Sequence, residues 1–260
     1  MVRRRRLIKT VGTLGAVGIT GTASASDRDK KISATEIGIY EEVAELLRKG
    51  KTEEARVLLD KNDVRYVIST NQQGNEQSSS ISPADYYNEG NSSVHASLVH
   101  VEDDRWLATG VANLRWGTNN WIQGSNVIND GFSLDWDNSH WTSPNRTREN
   151  ITYGVHKEES VPGNPTIEAS IDDYARYGIG GEVDYKGQVE PKYPDFTVNL
   201  QTDILRTDPH PEVGVAFRYK HTYAATGIKS SLSFTYGPGV VINVPQLANH
   251  WKLSESVDPE

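Results

Sequence analysis

Cysteine is absent from all 260 residues. That absence removes disulfides, thiol chemistry and Cys-ligated zinc together. A chain without cross-links must be held by its core or by a bound ion. Long apolar runs are also missing: beyond the first 25 residues none could span a bilayer. The sequence contains no His-Glu-x-x-His, no Gly-x-Ser-x-Gly, no phosphate-binding loop and no dinucleotide fingerprint. Positive charge is scarce outside the N-terminus. Residues 1–25 hold five cations (Arg3, Arg4, Arg5, Arg6 and Lys9) and no acid. Without them the 27 basic residues fall to 22 against 35 acids, so the net charge moves from -8 to -13. Such a surface repels nucleic acid and anionic lipid, and neither is expected as a partner.

The N-terminus is organised differently from the rest. A basic stretch is followed by a weakly apolar run from Leu7 to about Ile19, then by Ala23-Ser24-Ala25, a small-x-small cleavage pattern. Arg4-Arg5-Arg6-Leu7-Ile8-Lys9 resembles a twin-arginine (Tat) export signal, whose cargo crosses the membrane folded. With the acidity and the lack of Cys, this N-terminal tenth resembles secreted proteins of salt-loving archaea. The resemblance implies cleavage after Ala25, the twin-arginine machinery as a partner, and a secreted or cell-surface location. Three segments follow: 1–25 as signal peptide, 26–62 as polar leader and helical hairpin, and 63–260 as a β-rich domain.

From Thr35 to Arg48, Ile37, Tyr40, Ala44 and Leu47 recur at helical spacing. Gly50 stops this helix, and Thr52 is placed to cap a second one with Glu53 and Glu54 in its first turn. The hairpin's apolar face, with Ala55, Leu58 and Leu59 on the second helix, is too small to stand alone and must dock. After Asp63 the period becomes two. Trp106, Ala108, Ala112, Leu114 and Trp116 share one strand face, as do Phe132, Leu134 and Trp136. Phe196, Val198 and Leu200 form another row, and Val213, Val215, Phe217, Tyr219, His221 and Tyr223 the clearest. Eight to ten strands without intervening helices predict an antiparallel, jelly-roll-like β-sandwich.

Candidate sites lie mostly in the middle of the chain. Asn91, Asn145 and Asn150 begin Asn-x-Ser/Thr glycosylation tripeptides. Five of six Trp fall between Trp106 and Trp141, and exposed Trp faces stack on sugars. Trp106, Trp116 and Trp136 alternate as core anchors, whereas Trp121 and Trp141, beside small polar residues, are the expected ligand platforms. Asp135, Asp137 and Asn138 offer oxygens at a spacing that could hold Ca²⁺, with Asp130 a further ligand; no other cofactor is expected. Asp135 with Asp137, or Glu182 with Asp184, could form a hydrolase carboxylate pair. His95 and His100 would fall on opposite faces if they share a strand, and His221, in an aromatic row, reads as a core or interface residue rather than a ligand.

These features favour an exported, non-enzymatic, β-rich protein that binds glycan or another surface protein. One alternative is a secreted glycan hydrolase. A second is a membrane-active antagonist that inserts its last hairpin, "LSFTYGPGVVINV", whose apolar residues alternate with polar ones.

Overall fold

The computed structural model describes residues 32–72, 89–115, 129–143, 150–157, 166–186, 195–208, 214–223, 231–246 and 248–259. Two helices come first, α1 (Tyr40–Arg48) and α2 (Thr52–Lys61). The first begins five residues later than the periodicity suggests. Ser33 and Glu36 bond reciprocally, each side chain to the other's backbone N–H, and close a turn. Gly38 at φ +73° then redirects the chain, leaving Ile37 exposed. The helix ends as expected at Gly50, which sits at φ +69°. Gly50 N–H reaches Leu47 O at 2.9 Å and Lys51 N–H reaches Leu46 O at 3.0 Å, a Schellman stop. Thr52 does not cap α2. It is already the first helical residue, and Lys51 holds the cap position without a side-chain bond.

Thirteen strands follow among the described residues, more than the eight to ten expected. They are β1 (Tyr66–Gln72), β2 (Ser93–Glu102), β3 (Arg105–Leu114), β4 (Asp130–Trp136), β5 (Trp141–Thr142), β6 (Ile151–Lys157) and β7 (Thr166–Ala175). The rest are β8 (Gly178–Lys186), β9 (Phe196–Arg206), β10 (Val215–Tyr223), β11 (Ser233–Gly237), β12 (Gly239–Asn243) and β13 (Asn249–Val257). One sheet runs β1-β2-β3-β9, with β5 and β6 both pairing along the free edge of β9. The second runs β13-β10-β4-β8-β7. All pairings between strands are antiparallel. The fold is an antiparallel β-sandwich behind a helical hairpin.

Period-two alternation decides what lies between the sheets. Trp106, Ala108, Ala112, Leu114, Val198, Leu200 and Ile204 of the first sheet meet Phe132, Leu134, Trp136, Val215, Phe217 and Leu253 of the second in one buried core. The sheets approach so closely at Gly110 that an added Cβ would lie 2.0 Å from the Phe217 ring. The helical hairpin covers the opposite face of the first sheet. Val43, Ala44, Leu47, Ala55 and Leu59 close over Ile68, Val99, Val101 and Leu107. Leaving water contributes about 2 kcal/mol for each of Leu47 and Leu59. The β11–β12 hairpin lies on the outer face of the second sheet, where Leu232, Ile242 and Ala248 form a third apolar cluster.

Candidate functional site

Strand β9 has two faces, and its polar one is buried. Thr197, Asn199, Gln201 and Asp203 alternate with the core residues, yet each is under 9% exposed. A buried polar row must be hydrogen-bonded, and the helices supply part of the bonding. Arg48 Nη1 of α1 donates to Gln201 Oε1 at 3.1 Å, and Gln201 Nε2 donates to Thr109 Oγ1 at 2.8 Å and to Ala44 O at 3.3 Å. Tyr40 OH donates to Asp203 Oδ1 at 3.3 Å. Arg105 grips Asp203 Oδ2 with Nε at 3.0 Å and Nη2 at 2.5 Å.

Between α1 and the edge strand β6 this row stays open as a cleft of about 140 Å³. Gln201 and Asp203 form its floor, Tyr40 and Arg48 one wall, and Glu41, Asn150 and Thr152 part of its lining. Burial, with the Asp203 carboxylate adding to it, pushes the Tyr40 phenol up to about 12, so it stays a neutral donor. Burial opposes the charge on Arg105, but hydrogen bonds to Asp203 and Glu102 outweigh it and its pKa rises. Hydrogen bonds from Lys49 and Arg48 lower Glu45 to about 2, which keeps Arg48 neutralised beside the cleft. The floor is therefore fixed and already bonded. At the rim, Glu41 and Thr152 are exposed and Asn150 is half-exposed. A carboxylate, an amide and a hydroxyl together offer both acceptors and donors. The volume is below the few hundred Å³ of a drug-sized pocket and suits one small polar group.

Among the residues singled out from sequence, Trp141 requires a correction. It is 0% exposed and packs edge-on against Trp106, ring centres 6.1 Å apart. Pairing of β5 with β9 (Trp141 opposite Arg206) carries the ring into the sandwich, so it is a core residue and not an exposed platform. Trp106 and Trp136 are core anchors as expected. Trp116, Trp121, Asn145 and Ala25 lie outside the described residues.

Asp135 and Asp137 are not neighbours on one strand, because β4 ends at Trp136. Asp135 is buried, with Oδ2 paired to Arg218 and accepting the Val240 N–H at 2.8 Å. Asp137 instead opens a turn, accepting from Ser139 N–H at 2.8 Å and Ser139 Oγ at 2.6 Å, with the half-exposed Asn138 between them. Asp130 is fully buried far along the same strand and accepts from Tyr219 OH at 2.5 Å, His221 Nδ1 at 2.7 Å and Thr222 N–H at 2.8 Å. Glu182 and Asp184 do share a face of β8, where Glu182 accepts from Asn129 Nδ2 at 2.8 Å. Neither expected pair lines the cleft. The carboxylates brought together there are Glu41 and Asp203.

His95 and His100 take opposite faces of β2. His100 stacks edge-on with Trp106, centres 5.2 Å apart. His95 joins the buried polar layer, bonded to Thr70 Oγ1 at 2.7 Å and Asn113 Nδ2 at 2.8 Å. The last hairpin turns its apolar row inward: Val240 and Ile242 are buried, Lys220 Nζ bonds Ile242 O at 2.5 Å, and Tyr236 OH bonds Asp173 O at 2.9 Å. That row is occupied by packing and is not offered to a bilayer. No helix among the described residues is long and apolar enough to cross a membrane.

Sequence reasoning missed Glu41, Arg48, Gln201 and Asp203 as site residues. Polar alternation along "DFTVNLQTDI" was the available signal, and it reads as a solvated face unless something is known to cover it.

No family model matches the chain, and no curated protein matches it. Among the solved structures that resemble it, two are the following. One comes from work on pH-induced modulation of Streptococcus parasanguinis adhesion by Fap1 fimbriae. It is 10% identical, with 74% of this chain and 96% of that chain covered and a TM-score of 0.25. The other is the KRT10-binding region domain of the pneumococcal serine-rich repeat protein PsrP, 10% identical over 70% of this chain and 98% of that chain, with a TM-score of 0.21. Likenesses this distant carry no weight for fold or function.

Proposed function

We propose that the protein is an exported, non-enzymatic surface or secreted protein that binds glycan through the cleft between α1 and β6. The carrying observation is the meeting of Tyr40, Glu41, Asn150, Thr152 and Asp203 around one small polar cleft. A sugar residue is a compact body with hydroxyls on every side, each both donor and acceptor, and this mixed lining is matched to it. A single charge of either sign would leave much of the lining unanswered. The N-terminal export pattern supports a location where such glycans occur, delivered by the twin-arginine route.

A glycan array probed with the chain from residue 26 onward tests the reading. Binding of a defined sugar is expected, weakened about tenfold in Glu41→Ala through loss of one charge-assisted hydrogen bond. Glu41 is exposed and makes no core contact, so the fold should be unchanged. No retention on any glycan, or equal retention by the variant, overturns the assignment. Release of reducing sugar from a bound glycan would replace it with the hydrolase alternative, with Glu41 and Asp203 as the carboxylates to test.

A further inference from the structure

The Asn-x-Ser/Thr tripeptides are not equivalent once the chain is folded. A transferase acting on a sequon must reach both the Asn amide and the hydroxyl two residues on. In Asn91-Ser92-Ser93 the Asn is exposed, but Ser92 and Ser93 are 1% and 8% exposed. Ser92 Oγ accepts the Arg115 N–H at 3.1 Å, and Ser93 Oγ accepts from Asn113 Nδ2 at 3.2 Å. This hydroxyl is locked into the polar layer that carries His95. In Asn150-Ile151-Thr152 the Asn is half-exposed and Thr152 is exposed, at the start of the edge strand β6. Both Asn150 and Thr152 line the cleft.

We infer that Asn150 is an N-glycosylation site of the folded protein, that Asn91 is not, and that a glycan on Asn150 lies over the cleft and limits access to it. The donor is a sugar activated through an anomeric phosphate linkage. Asn150 Nδ2 forms a bond to the anomeric carbon, the bond from that carbon to the phosphate oxygen breaks with its electron pair, and the amide releases one proton to solvent. Because the amide sits at the cleft, the attached sugar is held where a free ligand would enter. The modification claim stands by itself, whereas the control of access rests on the glycan-binding reading above.

Trypsin separates the two sites. Cleavage after Arg148 and Lys157 isolates Asn150 on peptide 149–157, and Asn91 falls on peptide 66–105. Glycopeptide mass spectrometry of protein from its own cells should find sugar on 149–157 and none on Asn91. An unmodified 149–157 peptide, or an occupied Asn91, refutes the site assignment whatever the cleft binds. The same chain made in a host without N-glycosylation should then bind the array ligand about tenfold more tightly than the native form. Equal affinity refutes the control of access while leaving the modification intact. If neither form binds any glycan, the binding reading and the access claim fall together, and the peptide result still decides whether Asn150 is modified.

Discussion

Acidification should weaken this fold through His95 in particular. The ring is 7% exposed, and its pKa falls from 6.5 to about 4, chiefly through burial and secondarily through the nearby Arg56 charge. The hydrogen bonds agree with a neutral ring. Asn113 Nδ2 donates to His95 Nε2, so that nitrogen must accept, and the proton sits on Nδ1 facing Thr70 Oγ1. The Asn113 amide is oriented by Thr197, whose hydroxyl donates to its Oδ1 at 2.8 Å. In the unfolded chain His95 titrates near 6.5, whereas the folded protein resists protonation until about pH 4. Stability is therefore complete above 6.5, declines between 6.5 and 4, and levels off below. At about 1.4 kcal/mol per tenfold change in proton affinity, the loss amounts to about 3 kcal/mol. Urea unfolding of the wild type and of His95→Gln across this range isolates the contribution, since carboxylates titrating in the same window cancel in the difference. The wild-type advantage over the variant should shrink by about 3 kcal/mol on going from pH 7 to pH 4. A pH-independent difference, or an imidazole midpoint near 6.5 by NMR, would refute the reasoning.

Trp141→Ala should cost about 3–5 kcal/mol in urea unfolding, because it empties a fully buried site against Trp106; a loss under about 1 kcal/mol would return Trp141 to the surface. Asp135→Asn should destabilise by about 2 kcal/mol, discounted from the fully buried case because Arg218 is 41% exposed. A double-mutant cycle with Arg218→Met should give a clear coupling energy, and additive effects would show that the two charges do not interact.

The sandwich was legible in the sequence because each core strand turns a continuous apolar row to the space between the sheets, even though the other face is covered as well. Trp106 to Leu114, Phe132 to Trp136, and Phe196 to Leu200 place every second side chain between the sheets, as the alternation requires. The hairpin of helices was legible too, down to the Gly50 stop, since an αL residue closing a helix is a local matter. Trp141 was misread because its local company, Ser139, His140 and Thr142, is polar. What buries it is pairing with Arg206, 65 positions away in sequence, and no local pattern reports that. The cleft failed for the same reason. Its floor comes from β9, one wall from α1, and its rim from α1 and the start of β6 with Asn150 before it, and only the pairing of distant segments makes neighbours of Glu41, Asn150 and Asp203.

The docking of the helices connects the fold to the proposed activity. Leu47 and Leu59 supply the apolar attraction, but a greasy contact alone would leave the hairpin free to slide. The fixed bonds from Arg48 to Gln201, from Gln201 to Ala44 and from Tyr40 to Asp203 define one position. At the other end Gly50 comes so close to Asn113 that an added Cβ would lie 2.9 Å from Asn113 Oδ1. Apolar burial thus supplies the attraction and the polar row the register. That division explains why so many polar side chains of β9 are buried at all: each needs a partner, and satisfying them holds α1 at a fixed distance from β6. The cleft is the gap that this spacing leaves. Its floor is rigid because the bonds that set the register also form the floor, whereas its rim stays adaptable because Glu41, Asn150 and Thr152 take no part in the docking.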